Sequence, residues 1–257
     1  MWFKVKSFIL FLLKSTNQHG VHSPFVYDLI TKCFYDKTKF EEYTKLIDYK
    51  KQLLNNPKQI EITDLGAGSR IIKSNKRSIT SIAKNSGTTT KRAKLLYKLV
   101  RHFNSNSILE LGTSLGIGAQ AMSLGNPKAS ITTIEGCPNI SNFAKEQFDN
   151  ENLSNIKVIN SDFEKAFENL DQTTFDLVFF DGNHQKEATL SYFEYLLPKT
   201  HNNTVFIFDD IYWSKDMTEA WKIIKQHPKV TVTIDTFFWG FVFLRKEQEK
   251  EHFTIRV

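Results

Sequence analysis

Five short runs of β-branched and aromatic residues follow residue 106, and they constrain the fold more than any other feature of the chain. They read SILELG, SITTIEG, NIKVINSD, FDLVFFDG and NTVFIFDD, and each ends in an acid or a glycine. Helical stretches separate them, such as PNISNFAKEQFDN, in which Pro138 suits a first helical turn. This alternation predicts an α/β fold with a doubly wound, mostly parallel sheet. Two more strand-like runs meet at a tight reversal in VTVTIDTFFWGFVFLRK, which predicts an antiparallel strand near the C-terminal end.

The first hundred residues have a different pattern, which looks mainly helical. In HSPFVYDLITKCF, Ser23 is a predicted helix N-cap and Pro24 the first helical residue. We therefore predict a helical extension over residues 1–100 and an α/β domain over residues 101–257. With 257 residues, 40% of them hydrophobic, the chain can bury a sizeable core.

The segment MWFKVKSFILFLLKSTNQHG at the start of the sequence contains a short apolar run. Its apolar run, Phe8–Leu13, is far shorter than the roughly 20 residues that a spanning helix needs, and no small-residue cleavage site follows it. An amphipathic helix is expected instead. Two interpretations stay open: the helix packs on the domain, or residues 1–14, with Lys4, Lys6 and Lys14, contact a membrane surface peripherally.

The net charge of +6 is unevenly distributed. Between Leu65 and Leu109 the sequence contains no Asp or Glu but ten basic residues. These residues, called the basic block below, are Arg70, Lys73, Lys76, Arg77, Lys84, Lys91, Arg92, Lys94, Lys98 and Arg101. The block either attracts an anionic partner or is a solvated helix face. Nucleic acid is the less favoured partner, because no zinc-finger or RNA-binding motif accompanies the block.

Two segments combine an acid, a hydrophobic step and glycines: EITDLGAGSR at residues 61–70 and LELGTSLGIG at residues 109–118. A cofactor loop follows a strand and opens a helix, so that backbone N–H groups face the ligand. The second segment has both neighbours, with SILEL before it and GAQAMSL after it. We therefore predict that it forms the cofactor loop. The DLGAGS loop, residues 64–69, is either a turn in the extension or a lid over the pocket.

The residues around the predicted cofactor loop indicate which cofactor it suits. The second strand ends at Glu135, an acid placed to bind a pair of ribose hydroxyls, and Asp162 follows the third strand beside the same pocket. The glycine spacing is G-x-x-x-G-x-G and differs from the G-x-G-x-x-G of dinucleotide enzymes. Glu110 at the start of the loop would repel a pyrophosphate, and it suits a cationic ligand with an amino-acid end.

On these motifs, residues 86–246 resemble the class I S-adenosylmethionine-dependent methyltransferases, whose fold is Rossmann-like. The acid-x-Gly-x-x-x-Gly motif of that family matches Glu110, Gly112 and Gly116. The resemblance implies that S-adenosylmethionine is the cofactor. The residues implied to bind it are Glu110, Gly112, Thr113, Ser114, Gly116, Glu135, Gly136, Asp162 and Asp181.

FDLVFFDGNH and FIFDDIYW are similar to segments of the catechol O-methyltransferase-like enzymes, in which two Asp and one Asn bind a divalent cation. The implied metal ligands are Asp181, Asp209 and Asp210, with Asp210 where the family has Asn. His184 stands at the position of the family's base, so His184 and Asp181 are the implied catalytic residues. Mg²⁺ is the first candidate cation, since it takes oxygen ligands. In the rival interpretation His184 alone is the base. Trp213 is either a packed aromatic or a wall of the substrate site.

The resemblance implies an O-methyltransferase that acts on a hydroxylated acceptor. An N- or RNA methyltransferase on the same fold, and a non-catalytic binding module that retains the sheet, stay open as alternatives. In that family appended segments commonly shape the acceptor site, so the resemblance implies that residues 1–100 cap the acceptor site and that residues 101–257 bind the cofactor. The basic block then favours a small-molecule or anionic acceptor. With Cys33 and Cys137 as its two cysteines the chain has no disulfide framework, and a cytoplasmic location is expected. The sequence leaves open whether the protein forms a homodimer.

Overall fold

The computed structural model of the chain describes residues 2–63, 75–85, 88–170 and 174–257. The helices within these ranges are α1 (Trp2–Lys14), α2 (Pro24–Leu29), α3 (Glu42–Leu54), α4 (Ile79–Asn85), α5 (Thr90–Phe103), α6 (Ile117–Gly125), α7 (Pro138–Asn150), α8 (Phe163–Glu168), α9 (Lys186–Leu196) and α10 (Lys215–Gln226). The strands are β1 (Gln59–Glu61), β2 (Lys76–Ser78), β3 (Ser107–Leu111), β4 (Ser130–Glu135), β5 (Ile156–Asn160), β6 (Phe175–Phe180), β7 (Thr200–Asp209), β8 (Val232–Asp235), β9 (Trp239–Phe243) and β10 (Glu251–Thr254).

Eight of the described strands, β3 to β10, belong to one sheet, which is mostly parallel. Strand β9 is antiparallel to both β7 and β8, whereas β3–β4, β4–β5, β6–β7 and β8–β10 are parallel pairs. The predicted fold class, with an antiparallel strand near the C-terminal end, is therefore confirmed. Strand β10 was not predicted, because its sequence EHFT is short and mostly polar.

The chain divides into two compact units. One comprises Met1–Asp36 and Gln172–Val257, and the other comprises Lys37–Asp171. The helices α1 to α5 confirm the helical character of the N-terminal segment. They are distributed over both units, and neither unit has a boundary at residue 100.

In the unit Lys37–Asp171, the parallel strands lie in the order β3-β4-β5, and each is followed by a helix. Helix α5 packs against α6. Thr89 begins α5 by accepting a hydrogen bond from the Arg92 N–H, and Asn104 ends it with a left-handed φ of 48°. The strands β1 and β2 form a separate antiparallel pair. The DLGAGS loop lies outside the described residues, so its two interpretations stay untested.

Part of the basic block belongs to α5 and packs on aromatic rings. The Arg101 guanidinium lies 4.9 Å from the Phe40 ring centroid, and the Lys94 ammonium lies 4.8 Å from that of Tyr43. Cations in such positions interact with the ring quadrupole. For these two residues the structure therefore shows a packing role. Arg70 and Lys73 of the block lie outside the described residues.

In the other unit the strands lie in the order β10-β8-β9-β7-β6. Strand β6 is almost continuously buried, as expected for a parallel strand that is covered on both faces. Phe180 of β6 stacks on Phe208 of β7 with ring centroids 4.3 Å apart. This packing fixes the ends of the two strands side by side, and the acids of the candidate site follow there.

The N-terminal helices of this unit begin as their sequence predicts. The Ser23 hydroxyl accepts a hydrogen bond from the Val26 N–H, and Pro24 is the first residue of α2. Helix α2 continues into a π-helical segment, Ile30–Phe34. None of the helices within the described ranges combines the length and the apolar character that crossing a bilayer requires.

Candidate functional site

The predicted cofactor loop lies between β3 and α6 and needs a left-handed backbone at three positions. Gly112 has a φ of 102°, Ser114 of 48° and Gly116 of 78°. The N–H groups of Gly112 and Thr113 donate to the Ile134 carbonyl at 3.0 and 3.3 Å. The loop is therefore held against the end of β4 and turns sharply into α6.

Gly116 is required for space as well as for its backbone conformation. A β-carbon at this position would lie 2.6 Å from two ring carbons of Phe148, which is buried. Real β-carbons do not approach other atoms so closely, and a left-handed φ is itself costly for a residue with a side chain. Packing against Phe148 therefore explains why the second glycine of the G-x-x-x-G motif, Gly116, cannot carry a side chain in this fold.

Glu110 lies at the start of the loop in a buried network of hydroxyl groups. Its side chain is 1% exposed. The Thr133 hydroxyl donates to a Glu110 carboxylate oxygen at 2.6 Å, and the Thr113 and Thr133 hydroxyls are also 2.6 Å apart. Burial raises the pKa of Glu110 to about 8, although the hydrogen bond from Thr133 opposes the shift. A buried acid of this kind stabilises a cation that is brought next to it.

Glu135, at the end of β4, connects the loop to the segment that follows it. One carboxylate oxygen accepts from the Ser114 N–H at 2.9 Å, and the other accepts from the Cys137 N–H at 2.9 Å. A carboxylate oxygen can accept two hydrogen bonds, and ligand hydroxyl groups are suitable donors to such an oxygen. Gly136 lies directly between Glu135 and Cys137 in the chain.

Asp162 has a structural partner in the ligand-free protein. It is the N-cap of α8, and its carboxylate accepts from the Lys165 N–H at 2.9 Å. The Lys165 ammonium lies 3.1 Å from the other oxygen. These hydrogen bonds hold the pKa of Asp162 below its ordinary value. Contact with a cofactor stays a prediction for this residue.

Residues before position 100 support the loop, and the sequence did not indicate them. The Tyr49 hydroxyl, on α3, donates to the Leu115 carbonyl at 2.6 Å, and both residues are buried. Next to Glu135, the Asn139 side-chain amide donates to the Glu61 carbonyl at 2.8 Å, and the Thr63 N–H donates to Cys137 Sγ at 3.4 Å. The unit Lys37–Asp171 therefore supports its loop from α3 and positions residues after β1 beside the loop that follows β4.

In the other unit, a second group of candidate residues follows β6 and β7. Asp181 comes directly after β6, Asp209 is the last residue of β7, and the two strands are parallel neighbours. Together with His184 they form a group in which one potential ligand atom from each residue lies within 4.8 Å of the others. Asp209 is buried, and Asp181 and His184 are half-buried. We refer to these three residues as the Asp-His-Asp group.

Asp210 is not among the three residues of this group, and its place in the predicted set of carboxylates stays a prediction. Its φ is 51°, a left-handed value that turns the chain away from the direction of β7. The Asp210 carbonyl accepts a hydrogen bond from the Trp213 N–H at 2.7 Å, which closes the turn. His184 takes the third position because another left-handed residue, Asn183 with a φ of 53°, precedes it.

Trp213 lies beside the Asp-His-Asp group. Its ring centroid is 6.4 Å from that of His184, and the Lys4 ammonium of α1 lies 3.7 Å from the Trp213 ring centroid. Trp213 is half-buried. Trp213 thus contacts a cation of α1 and also neighbours the imidazole of the group.

Two carboxylates and an imidazole form a donor set that suits a divalent cation. Carboxylate oxygens favour Mg²⁺ and Mn²⁺, whereas imidazole favours the transition metals. The separation of at most 4.8 Å is compatible with ligation of one ion by all three side chains. The residues present therefore fit a cation.

Comparison with known proteins agrees with this geometry. Residues 109–211 match the family model of a methyltransferase domain. This range contains the cofactor loop, Glu135 and the Asp-His-Asp group. No curated protein matches the sequence.

Three solved structures illustrate the structural likeness. A methyltransferase from Podospora anserina bound to S-adenosylhomocysteine has a TM-score of 0.63 at 15% identity, with 88% of this chain and 97% of that chain covered. An O-methyltransferase from Bacillus cereus, also bound to S-adenosylhomocysteine, has a TM-score of 0.54 at 18% identity, with 85% of this chain and 96% of that chain covered. The O-methyltransferase TomG from Streptomyces achromogenes, in complex with S-adenosylmethionine, has a TM-score of 0.57 at 14% identity, with 81% of this chain and 91% of that chain covered. At these identities the likeness concerns the fold.

The sheet topology, the loop after β3 and the domain match together define the class. Residues 109–211 match a methyltransferase domain, and the chain has the fold of the class I methyltransferases.

Proposed function

We propose that the protein is an O-methyltransferase that transfers the methyl group of S-adenosylmethionine to a hydroxyl group of a small-molecule acceptor. The observation that carries the proposal is the Asp-His-Asp group at the carboxyl ends of β6 and β7. A hydroxyl nucleophile must lose its proton, and this group provides bases and a site for a cation. The structurally similar proteins from Bacillus cereus and Streptomyces achromogenes are O-methyltransferases, which supports the proposal.

The cofactor would be held by the loop after β3 and the end of β4. When bound, S-adenosylmethionine supplies an electrophilic methyl group on a sulfonium. We assign Glu110 to the cationic amino-acid end and Glu135 to the ribose hydroxyls. The remaining proposed contacts are Gly112, Thr113, Ser114, Gly116, Gly136, Asp162 and Asp181.

The chemistry requires accurate positioning of two reactants and one proton transfer. The acceptor oxygen forms a bond to the methyl carbon while the carbon–sulfur bond breaks, and S-adenosylhomocysteine leaves as a neutral thioether. The hydroxyl proton passes to a base of the Asp-His-Asp group. Holding the two reactants in line contributes much of the rate enhancement in such displacements.

A divalent cation would be held by Asp181, His184 and Asp209, and Asp210 is not assigned to it. Bound there, it would lower the pKa of an acceptor hydroxyl. With an imidazole among the ligands we propose Mn²⁺ beside Mg²⁺ as a candidate. In the rival proposal His184 is the base and the two carboxylates bind the acceptor through hydrogen bonds.

The test is methyl transfer from labelled S-adenosylmethionine to a panel of hydroxylated and aminated small molecules. Labelled ether products support the proposal, whereas labelled amine products alone would replace it by N-methylation. The same reaction in excess chelator, followed by addition of Mg²⁺ or Mn²⁺, distinguishes the two roles of the group. Loss and recovery of activity favour the cation, and full activity in chelator favours His184 as the base.

The proposal also concerns the kind of acceptor and the location of the protein in the cell. We favour an acceptor with an anionic group, which the basic block supports, and an acceptor panel should include phosphate- and carboxylate-bearing members. We also propose that the reaction takes place in the cytoplasm, since two cysteines, Cys33 and Cys137, offer no disulfide framework. Cell fractionation with antibody detection tests the location.

A further inference from the structure

Helix α1 exposes a stripe of large apolar side chains. Trp2, Val5, Ile9, Leu12 and Leu13 are all exposed, and Trp2 and Leu13 have relative exposures of 81% and 78%. Their spacing of three and four residues places them on one side of the helix. This surface is called the outer α1 face. Single exposed apolar residues are ordinary, but a contiguous exposed stripe indicates an interaction site.

The opposite side of α1 fixes the helix to the protein. Phe11 is buried, and its ring lies 5.6 Å from the ring of Phe237. Phe8 lies at the border of the outer α1 face, is 41% exposed, and has its ring 4.9 Å from that of Phe237. Phe237 has a φ of 71°, which is an outlier for a bulky residue and is maintained by its surroundings. Its N–H donates to a carboxylate oxygen of Asp235, and its ring stacks on Tyr212.

The charges of α1 favour a particular partner for the outer α1 face. The helix contains Lys4, Lys6 and Lys14 and no acidic residue, and Lys6 and Lys14 are exposed. Anionic lipid headgroups complement the exposed Lys6 and Lys14, while the apolar residues enter the acyl boundary. A second copy of the chain would bring two such helices together at a symmetric contact and place like charges near each other.

We propose that the outer α1 face binds the protein to the surface of an anionic lipid bilayer. The 13 residues of α1 extend over about 20 Å, which is shorter than the roughly 30 Å of a bilayer core, so the helix lies in the interface plane. Trp2 is suited to the headgroup level. Phe238, which is 49% exposed next to Phe237, extends the apolar surface. Binding goes beyond methyl transfer and does not depend on it.

The test is co-sedimentation of the full chain with vesicles. Vesicles of phosphatidylcholine with phosphatidylserine should sediment the protein, and vesicles of phosphatidylcholine alone should sediment much less of it. Raised sodium chloride should weaken binding to the anionic vesicles, because the lysine contribution is screened.

Variants identify the surface that binds. The double variant Ile9→Glu with Leu13→Glu should bind anionic vesicles at least about tenfold more weakly, since two inserted apolar side chains are lost and two negative charges are added. Leu54→Glu is the matched control, because Leu54 is also exposed but lies on α3. It should bind as the wild type does. Thermal melting followed by circular dichroism verifies that both variants fold.

Three outcomes would overturn the proposal. The first is the absence of binding to anionic vesicles, and the second is equal binding by the wild type and the folded double variant. The third is a wild-type dimer in sedimentation velocity that becomes monomeric in the double variant, without vesicle binding, which would identify a second copy as the partner. Because the assay measures binding alone, its failure leaves the proposed methyl transfer untouched.

Discussion

Glu110 provides a test of the cofactor loop, because its protonation should change when a cation binds beside it. The carboxyl group is 1% exposed, and burial raises its pKa to about 8. In the ligand-free protein it is therefore mostly protonated at pH 6. A cationic ligand favours the ionised carboxylate and lowers a neighbouring pKa by about one to three units.

The magnitude follows from proton linkage. If the ligand lowers the pKa from about 8 to about 6, the affinity for S-adenosylmethionine should rise about tenfold between pH 6 and pH 7.5. Glu110→Gln removes the titration and keeps an acceptor for the Thr133 hydroxyl. Its affinity should be lower at pH 7.5 and nearly independent of pH over this range.

Calorimetric titration at several pH values between 6 and 7.5 measures the affinity of the wild type and of Glu110→Gln for S-adenosylmethionine. This range stays below about pH 7.7–8.0, where α-amino groups such as that of the cofactor lose their proton. Identical pH profiles for the wild type and Glu110→Gln would refute the assignment of Glu110 to the cationic end of the cofactor.

The same pKa has a consequence for the stability of the ligand-free protein. A carboxyl group whose pKa is raised on folding contributes stability below its ordinary pKa of 4.5 and loses that contribution as the pH rises to about 8. Relative to Glu110→Gln, the ligand-free wild type should therefore become less stable across this window. Denaturant unfolding at pH 5 and pH 8 measures the difference, and saturating cofactor should reduce it.

Four further variants test other contacts of the cofactor loop and of the acids at the end of β7. Gly116→Ala should lower the free energy of unfolding by about 1–3 kcal/mol and weaken cofactor binding, because the new β-carbon meets Phe148 at a left-handed backbone position. Denaturant unfolding measures the stability and calorimetry the cofactor affinity. An unchanged unfolding midpoint would contradict the predicted clash with Phe148. Tyr49→Phe removes the donor to the Leu115 carbonyl and should cost about 1–3 kcal/mol of stability with a several-fold loss of cofactor affinity. Asp209→Asn should abolish most methyl transfer while Asp210→Asn retains it, and equal losses in the two variants would contradict the Asp-His-Asp group.

The features of the fold that could be predicted from the sequence depend on a few neighbouring residues. The run FDLVFF is apolar at nearly every position because β6 is buried on both faces. Ser23 and Pro24 predict the start of α2, since a side-chain acceptor and a fixed φ suit the first turn of a helix. The loop after β3 was recognisable because its left-handed positions require glycine at Gly112 and Gly116.

Contacts between distant segments could not be predicted in this way. Tyr49 lies 66 residues before Leu115, and the periodicity of α3 indicates only that Tyr49 is on the buried side of its helix. The contact of Asn139 with the Glu61 carbonyl likewise joins segments 78 residues apart. The segment before residue 100 was therefore predicted as an appended cap, although some of its residues support the cofactor loop.

The acids after β6 and β7 show how the local backbone bears on a ligand set that a resemblance implies. Successive residues of a strand point to opposite sides, so Asp209 and Asp210 are not expected to share one direction, and the left-handed φ of Asp210 turns the chain further. His184 follows the left-handed turn at Asn183 and has a ring nitrogen within 4.8 Å of an Asp181 carboxylate oxygen. The group then carries two carboxylates instead of three, and the mutual repulsion that would demand a compensating cation is weaker. Electrostatics alone thus permits a cation without requiring one, and the imidazole can serve either as a ligand or as a base. Activity in excess chelator measures which of these roles His184 has, since a metal ligand loses its function when the ion is removed and a free base does not.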